Sequence, residues 1–333
     1  MFKYDWSQFD AKTGLIFMVG VLVVFYVMGN TTTAVAVGTA ALLAWCTVLL
    51  VPPQSLRLDL TGLVVYLLGG AALTWLSAVV SSNTAAFLVA MFAVTFAGYM
   101  MLLRGAHAFM IGWCLVYWFM LAPLLTAGAS LRSIIYAHVI GTVLVIVLNV
   151  LKPLWAGRSE VATAEVQPSE PTTEPGYSLG YTVSYATVVA TSIVAGVGIG
   201  VRWLTADPTV IANATLNIIS PSFKQVWRAA VERVVLASSG IIIGFYLGWF
   251  FPDPLFGKLL TAAAAFAAMA MTRVSFGLLI GFLFIMIAYP WGVMHSDAGH
   301  LIANEKLIGE AIGMVIALIA IGVLVRLKKT DAV

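Results

Sequence analysis

Two ionisable residues occupy corresponding places in the two halves of this 333-residue chain. His138 and Glu310 lie 172 positions apart, and the same distance separates Gly141 from Gly313, each three residues further on. Both ionisable residues stand in apolar sequence, where a membrane-spanning helix tolerates charge only at a cost. We expect His138 and Glu310 to bind and release a coupled proton. The alternative is that each lies near the outer interface and reaches water by itself.

Polar residues interrupt the apolar segment that runs from Pro208 to Pro221. A proline removes a backbone donor, and irregular backbone at membrane depth persists only where protein or a water-filled cavity covers it. Interrupted helices of this kind often form the substrate site of transporters. We therefore expect a substrate path lined by Asn213, Asn217, Pro221 and Ser222. The alternative is a short, tilted helix packed inside the bundle.

A basic step follows that segment. Arg228 and Glu232 have the i, i+4 spacing of a helical ion pair, and Arg233 lies one turn inside the next apolar segment. Because a guanidinium can hold a carboxylate with two hydrogen bonds, we assign Arg228 and Arg233 to substrate binding. The loop residues Arg104, Lys224 and Arg273 are predicted to form a positive cytoplasmic mouth that attracts anions. Alternatively, they only fix the orientation of the chain in the membrane.

Other chemistry has little support in the sequence. His295, Asp297 and His300 share one loop and have side chains that can bind zinc, but three residues in a loop do not predict a metal site. No phosphate-binding loop of the GxxxxGK[ST] type is present, so direct use of ATP is not expected. No nucleophile–base pair with useful spacing is present either. We predict no enzyme, no cofactor and no bound metal.

The composition identifies the lipid bilayer as the solvent of this chain. Hydrophobic residues make up 62% of it and charged residues 9%, with a mean hydropathy of +1.02. Soluble domains contain about 25% charged residues, so this chain cannot coat a soluble surface. The net charge of +3 gives no reason to expect a nucleic-acid partner. A homo-oligomer is compatible with these features and is not required by them.

Apolar segments of about 20 residues are long enough to cross a bilayer. We place twelve, at 13–29, 33–51, 60–80, 84–103, 107–126, 132–151, 179–202, 207–221, 229–250, 255–272, 274–292 and 307–326. With the N-terminus inside, thirteen Lys and Arg residues face the cytoplasm, and the four outside are Arg132, Arg202, Lys258 and Lys306. Omitting the doubtful eighth segment changes the division to eight inside and nine outside. The excess of inside charge favours twelve spans with both termini cytoplasmic. From the compactness of the chain we expect the plasma (inner) membrane.

The second half of the chain repeats the first. Phe96-Ala97-Gly98 corresponds to Phe266-Ala267-Ala268, and Gly69-Gly70 corresponds to Ser239-Gly240, both at an offset of 170. A nearly constant offset is typical of a duplicated unit, and an even number of spans per unit gives both the same orientation. We predict an all-α integral membrane protein with twelve transmembrane helices as two parallel six-helix repeats. The first unit is 1–155, an acidic, proline-rich linker at 156–177 is disordered, and the second unit is 178–333.

Two stretches carry a family resemblance. They are ISPSFKQVWRAAVERVVLASSGIIIG, from Ile219 to Gly244, and KLIGEAIG, from Lys306 to Gly313. Pro52-Pro53, Arg57 and Gly69-Gly70 give the same outline in weaker form. The chain resembles the fusaric acid resistance and aromatic acid exporter family, which is related to the plant aluminium-activated malate channels. The resemblance implies six-helix units and export of anionic, often aromatic, compounds. A short linker stands where long family members carry a cytoplasmic domain.

These observations together predict a secondary transporter. We expect it to export small organic anions, aromatic ones among them, coupled to protons. One alternative is a passive anion channel, whose currents follow the anion gradient and ignore collapse of the proton gradient. The other is a membrane scaffold or complex subunit that transports nothing.

Overall fold

The computed structural model of the protein describes residues 4, 6–28, 31–49, 55–127, 130–155, 178–205, 207–219, 226–272, 274–293 and 297–330. Secondary structure in these ranges is helical throughout, with short 3-10 turns at Trp6–Gln8 and Met101–Arg104. The α-helices are α1 Ala11–Met28, α2 Thr31–Leu49, α3 Leu56–Val80, α4 Thr84–Met100, α5 Ala106–Ala127, α6 Leu131–Trp155, α7 Leu179–Trp203, α8 Val210–Ile218, α9 Val226–Phe250, α10 Pro254–Met271, α11 Phe276–Val293 and α12 Asp297–Thr330.

Nine of the helices in the described ranges are long and apolar enough to cross a bilayer. They are α3 to α7 and α9 to α12. Helices α1 and α2 contribute shorter apolar stretches, Ala11–Val23 and Val35–Val48. The protein is therefore an all-helical, multi-pass membrane protein, as predicted, while the count of twelve spans stays a prediction. The linker predicted to be disordered at 156–177 lies outside the described residues.

Helix α8 is much shorter than the segment 207–221 that was predicted to span. Its nine residues are about 13 Å long, less than half of a hydrocarbon core of about 30 Å. All nine are buried. Their polar members therefore face protein, which is the condition under which a membrane accepts such a segment.

Helix α12 begins ten residues before the predicted span at 307–326. Its 34 residues run from Asp297 to Thr330, a length of about 51 Å. Lys306, which was counted on the outside, lies in the third turn of this helix and is 2% exposed.

Packing within the first half follows a simple pattern. Helix α2 packs on α6, α3 packs on α5 and α6, and α4 packs on α5. In the second half α8 packs on α12, α9 on α11 and α12, and α10 on α11. Between the halves, α4 packs on α7 and α10 packs on α1. Each of these contacts has its counterpart when every helix number is shifted by six and counting returns from α12 to α1.

Glycines bring two helix backbones of the second half into direct contact. Gly240, Gly244 and Gly248 follow one another at four-residue intervals along α9, and they face the carbonyl oxygens of Gly281, Ile285 and Tyr289, spaced by four along α11. Because both series increase together, α9 and α11 are parallel. Small residues at such intervals allow close backbone approach between membrane helices. The same argument makes α8 and α12 parallel, since Gly309 lies against Val210 and Gly313 against Ala214.

Candidate functional site

Glu310 is a buried carboxyl in the middle of the bundle. It lies in α12 and is 2% exposed, and its Oε1 atom makes no hydrogen bond within the described structure. Three residues later, Gly313 allows α12 to approach α8 so closely that an added Cβ would lie 2.7 Å from the Ile211 carbonyl oxygen. Glu310 and Gly313, three residues apart, therefore lie on the part of α12 that packs on α8.

A buried ion pair stands one helical turn from Glu310. The Lys306 ammonium donates to the Asp207 carboxylate, and the two side chains are 2% and 3% exposed. The other carboxylate oxygen of Asp207 accepts from the backbone N–H of Thr209 at 2.9 Å and from its hydroxyl at 2.7 Å. Lys306 also lies over the ring of Trp291, 5.6 Å from its centre. These contacts attach the start of α8 to α12.

Glu305 makes a second attachment at the same end of α8. Its Oε1 accepts from both the backbone N–H and the hydroxyl of Thr205, each at 2.8 Å. Together with Asp207 and Lys306, it ties the connection between α7 and α8 to the beginning of α12. These polar contacts account for the burial of charged residues that hydropathy alone assigns to a loop.

One face of α8 carries polar side chains at helical spacing. Thr209, Asn213 and Asn217 are four residues apart and share that face. Asn213 donates to the Thr209 hydroxyl at 3.3 Å. The Asn213 Oδ1 atom makes no hydrogen bond although the residue is 2% exposed, and Asn217, which is equally buried, meets the Tyr117 phenol. A buried polar group left without a partner costs about 1–3 kcal/mol, so this face is suited to receive a hydrogen-bonding ligand.

Tyr117 brings the first half of the chain to this polar face. It lies in α5, which contacts α8. Its phenol stands beside the carboxamide of Asn217 and within electrostatic range of Glu310. Because Tyr117 belongs to the first half and the other two residues belong to the second, the group lies at the interface between the halves.

Arg233 closes the other end of α8. Its Nη1 donates to the Asn217 carbonyl oxygen and, at 3.4 Å, to that of Ile218. The last carbonyls of a helix lack partners within it and carry partial negative charge, so a guanidinium is a favourable cap. The guanidinium also lies 4.7 Å from the ring centre of Phe276. Arg233 is near the predicted path, but in this conformation it holds α8.

His138 lies in a separate cage within the first half. It is 0% exposed, and its ring centre is 4.9 Å from that of Tyr66 and 4.7 Å from that of Trp118. The ring nitrogen Nε2 donates to the Tyr66 carbonyl oxygen at 3.2 Å. Gly70 leaves the space that the imidazole fills. These contacts all belong to α3, α5 and α6, so the described structure gives His138 no direct contact with Glu310.

The remaining predicted site residues are only partly described. Arg104 is exposed at the end of its 3-10 turn. Pro221, Ser222, Lys224, Arg273 and His295 lie outside the described residues, as does the side chain of Arg228. Within the described ranges, no three His, Cys, Asp or Glu residues form a group that could hold a metal ion. His300 packs against Trp249 instead, with ring centres 4.2 Å apart.

The roles of Asp207 and Lys306 were not predicted from the sequence. One signal was present, because Lys306 and Glu310 have i, i+4 spacing and lie on one helix face. Asp207 directly precedes Pro208, where a helix start is common. The pairing itself was not visible, since the two partners are 99 residues apart.

Comparison with known protein families, with curated proteins and with solved structures finds no match. The function is therefore inferred from the residues of the site.

Proposed function

We propose that this protein is a proton-coupled secondary transporter that exports small organic anions, aromatic ones among them. The observation that carries the proposal is the buried carboxyl of Glu310 at the interface of the halves. It has an oxygen without a hydrogen-bond partner and lies within electrostatic range of Tyr117, whose phenol meets Asn217 of α8. An isolated carboxyl at this depth is stable only as the neutral acid or with a compensating ligand. Glu310 is therefore the group that takes up and gives off the coupled proton.

The proposed architecture is two like-oriented repeats of six helices. The helix contacts support it, because most contacts in one half recur in the other after a shift of six. Gly141 and Gly313 also support it, because each lies against a backbone carbonyl of the helix on which its own helix packs. An added Cβ would lie 2.5 Å from the Val37 carbonyl oxygen at Gly141, and 2.7 Å from that of Ile211 at Gly313. The glycines correspond at an offset of 172 and the carbonyls at an offset of 174.

The proposed count of twelve spans includes α8. Helix α8 is parallel to α12, and three helices lie between them in the chain. In the proposed topology both helices therefore run from the outside toward the cytoplasm. Helix α9 then starts on the cytoplasmic side and runs outward. This direction of α8 agrees with the excess of inside Lys and Arg, which favours cytoplasmic termini. The proposed location is the plasma membrane.

A column of aromatic rings supports an aromatic anion as substrate. The Arg233 guanidinium lies over Phe276, whose ring centre is 5.6 Å from that of Trp113. Trp113 is in turn 5.2 Å from Tyr117, which stands beside Asn217 and Glu310. A cation at one end and rings along the column match the charge and the ring of an aromatic acid. The exposed Arg104, with Lys224 and Arg273, forms the proposed cytoplasmic mouth.

The test is flux in liposomes that hold the purified protein. Benzenesulfonate is a suitable probe because it stays ionised and does not cross lipid by itself, and methanesulfonate is its partner without a ring. We expect an outward benzenesulfonate gradient to drive both anion efflux and a proton flux, faster than methanesulfonate does. Glu310→Gln should abolish the proton flux. Asp253→Asn, which changes an exposed carboxylate in the same conservative way, should leave it unchanged.

Two results would overturn the proposal. Benzenesulfonate currents that persist equally in wild type and Glu310→Gln, without proton flux, would identify a passive channel. Absence of anion movement in every protein, with correct folding shown by size-exclusion chromatography, would identify a non-transporting membrane protein.

A further inference from the structure

The charges around Glu310 determine whether its carboxyl can be ionised while an anion is bound nearby. Lys306 is paired with Asp207, so this pair contributes no net charge. On the helices that contact α12, the other described cations are Arg202, exposed at the end of α7, and Arg233, which caps α8. Helix α11 carries no charged residue, α8 carries none, and α9 adds Glu232, which accepts from Ser275. Lys306 is the described cation within electrostatic range of Glu310, and its charge is already balanced by Asp207.

The other groups around Glu310 offer hydrogen bonds instead of charge. They are the phenol of Tyr117, from the first half, and the carboxamide of Asn217 beside it. Tyr181 and Tyr185 are the titratable groups that α7 adds, and Glu305 is held by Thr205. An anion bound to the Asn217 amide would thus lie close to the Glu310 carboxyl.

From this arrangement we propose that the anion and the proton bind together, so that the protein is a proton–anion symporter. The proposal rests on the proposed function and fixes the sign of its coupling. Two anionic groups cannot share a buried site without a cation, so an ionised Glu310 repels the substrate. Protonated Glu310 is a hydrogen-bond donor and adds to the donors of Asn217 and Tyr117. Each ligand then raises the affinity for the other by the same factor.

Symport has consequences that antiport does not share. A monovalent anion and one proton form a neutral cargo, so the membrane potential does not drive the step. Export is driven by the outward anion gradient and is opposed by an inward proton gradient. In an antiporter the anion would displace the proton, an inward proton gradient would drive export, and the exchange would move net charge across the membrane.

The decisive experiment is equilibrium binding of benzenesulfonate to the purified full-length protein at a series of pH values. We expect wild type to take up one proton per anion bound, and its affinity to fall about tenfold per pH unit where Glu310 is ionised. Glu310→Gln resembles the protonated form, so it should keep the low-pH affinity of wild type and lose the pH dependence. Asp253→Asn should behave as wild type.

The outcomes separate this inference from the proposed function. Proton release on binding, or pH-dependent affinity that persists in Glu310→Gln, would overturn the symport while leaving anion transport standing. No binding of benzenesulfonate or methanesulfonate at any pH would overturn both. In liposomes, an outward benzenesulfonate gradient should make the interior more alkaline, and it should do so equally with the membrane potential clamped. Acidification of the interior would identify an antiporter.

Discussion

Removing one partner of the buried pair Asp207–Lys306 should destabilise the protein strongly, and removing both should not. The two side chains are 3% and 2% exposed, so loss of either partner leaves a charge without water or counter-ion. Such a loss typically costs about 3–5 kcal/mol, whereas replacing both partners with neutral groups is often close to neutral. We therefore expect Asp207→Asn and Lys306→Met each to lower the free energy of unfolding by about 3–5 kcal/mol.

The asparagine variant isolates the loss of charge. Its side-chain oxygen can still accept from the backbone N–H and the hydroxyl of Thr209, which now lie at 2.9 and 2.7 Å from Asp207. The double variant should lie within about 1 kcal/mol of wild type, which gives a coupling of at least about 5 kcal/mol between the two positions. Lys306→Met also retains contact with the Trp291 ring through its flexible thioether.

The measurement is the free energy of unfolding in a lipid-like environment, obtained by steric trapping for wild type, both single variants and the double variant. Asp253→Asn is the matched control, because this exposed aspartate accepts from the Phe256 N–H at 2.9 Å and asparagine caps helices equally well. We expect the control to change by less than about 0.5 kcal/mol. The reasoning is refuted if the single variants cost less than about 1 kcal/mol each, or if their costs simply add.

Three further predictions concern packing and capping. Gly313→Ala should destabilise the protein by about 1–3 kcal/mol in a thermal unfolding assay, because an added Cβ would meet the α8 backbone. Gly322→Ala, with open space around it, should be neutral in the same assay. Equal effects would contradict the close α8–α12 contact. Arg233→Met should speed amide hydrogen exchange in α8 by at least about tenfold, because it removes the hydrogen bonds from Arg233 to the last carbonyls of α8. Hydrogen bonds from a charged group are worth about 1.5–3 kcal/mol. Unchanged exchange would show that the cap is dispensable. Gly70→Ala should destabilise by pushing against the imidazole of His138, and a second change, His138→Ala, should recover part of the lost melting temperature; no recovery would exclude that cage.

Much of the helical framework could be predicted from hydropathy. The predicted span 60–80 corresponds to α3 at Leu56–Val80, and the span 229–250 to α9 at Val226–Phe250. These segments are uninterrupted and apolar, so length alone identifies them. The last span was predicted to start at 307, whereas α12 starts at Asp297, because its first ten residues are too polar for hydropathy to identify.

The site was less predictable than the framework. Glu310 and the α8 amides stood out because polar groups are rare in such sequence, and the structure does bring them to one interface. His138 stood out for the same reason, yet its contacts are with Tyr66 and Trp118 in its own half. The role of Arg233 depends on where α8 ends, which is a property of the fold and not of the local sequence.

The glycine contacts between α9 and α11 also constrain how the molecule can move. Where two backbones touch along three turns, no side chain lies between them that could change rotamer and let them slide. Helices α9 and α11 should therefore travel as one rigid body. Helix α8 is different, because it is short and is anchored at its ends by Asp207 and Arg233. In the proposed transporter, exchange of those few polar anchors is the movement that opens one side of the membrane while the other stays shut.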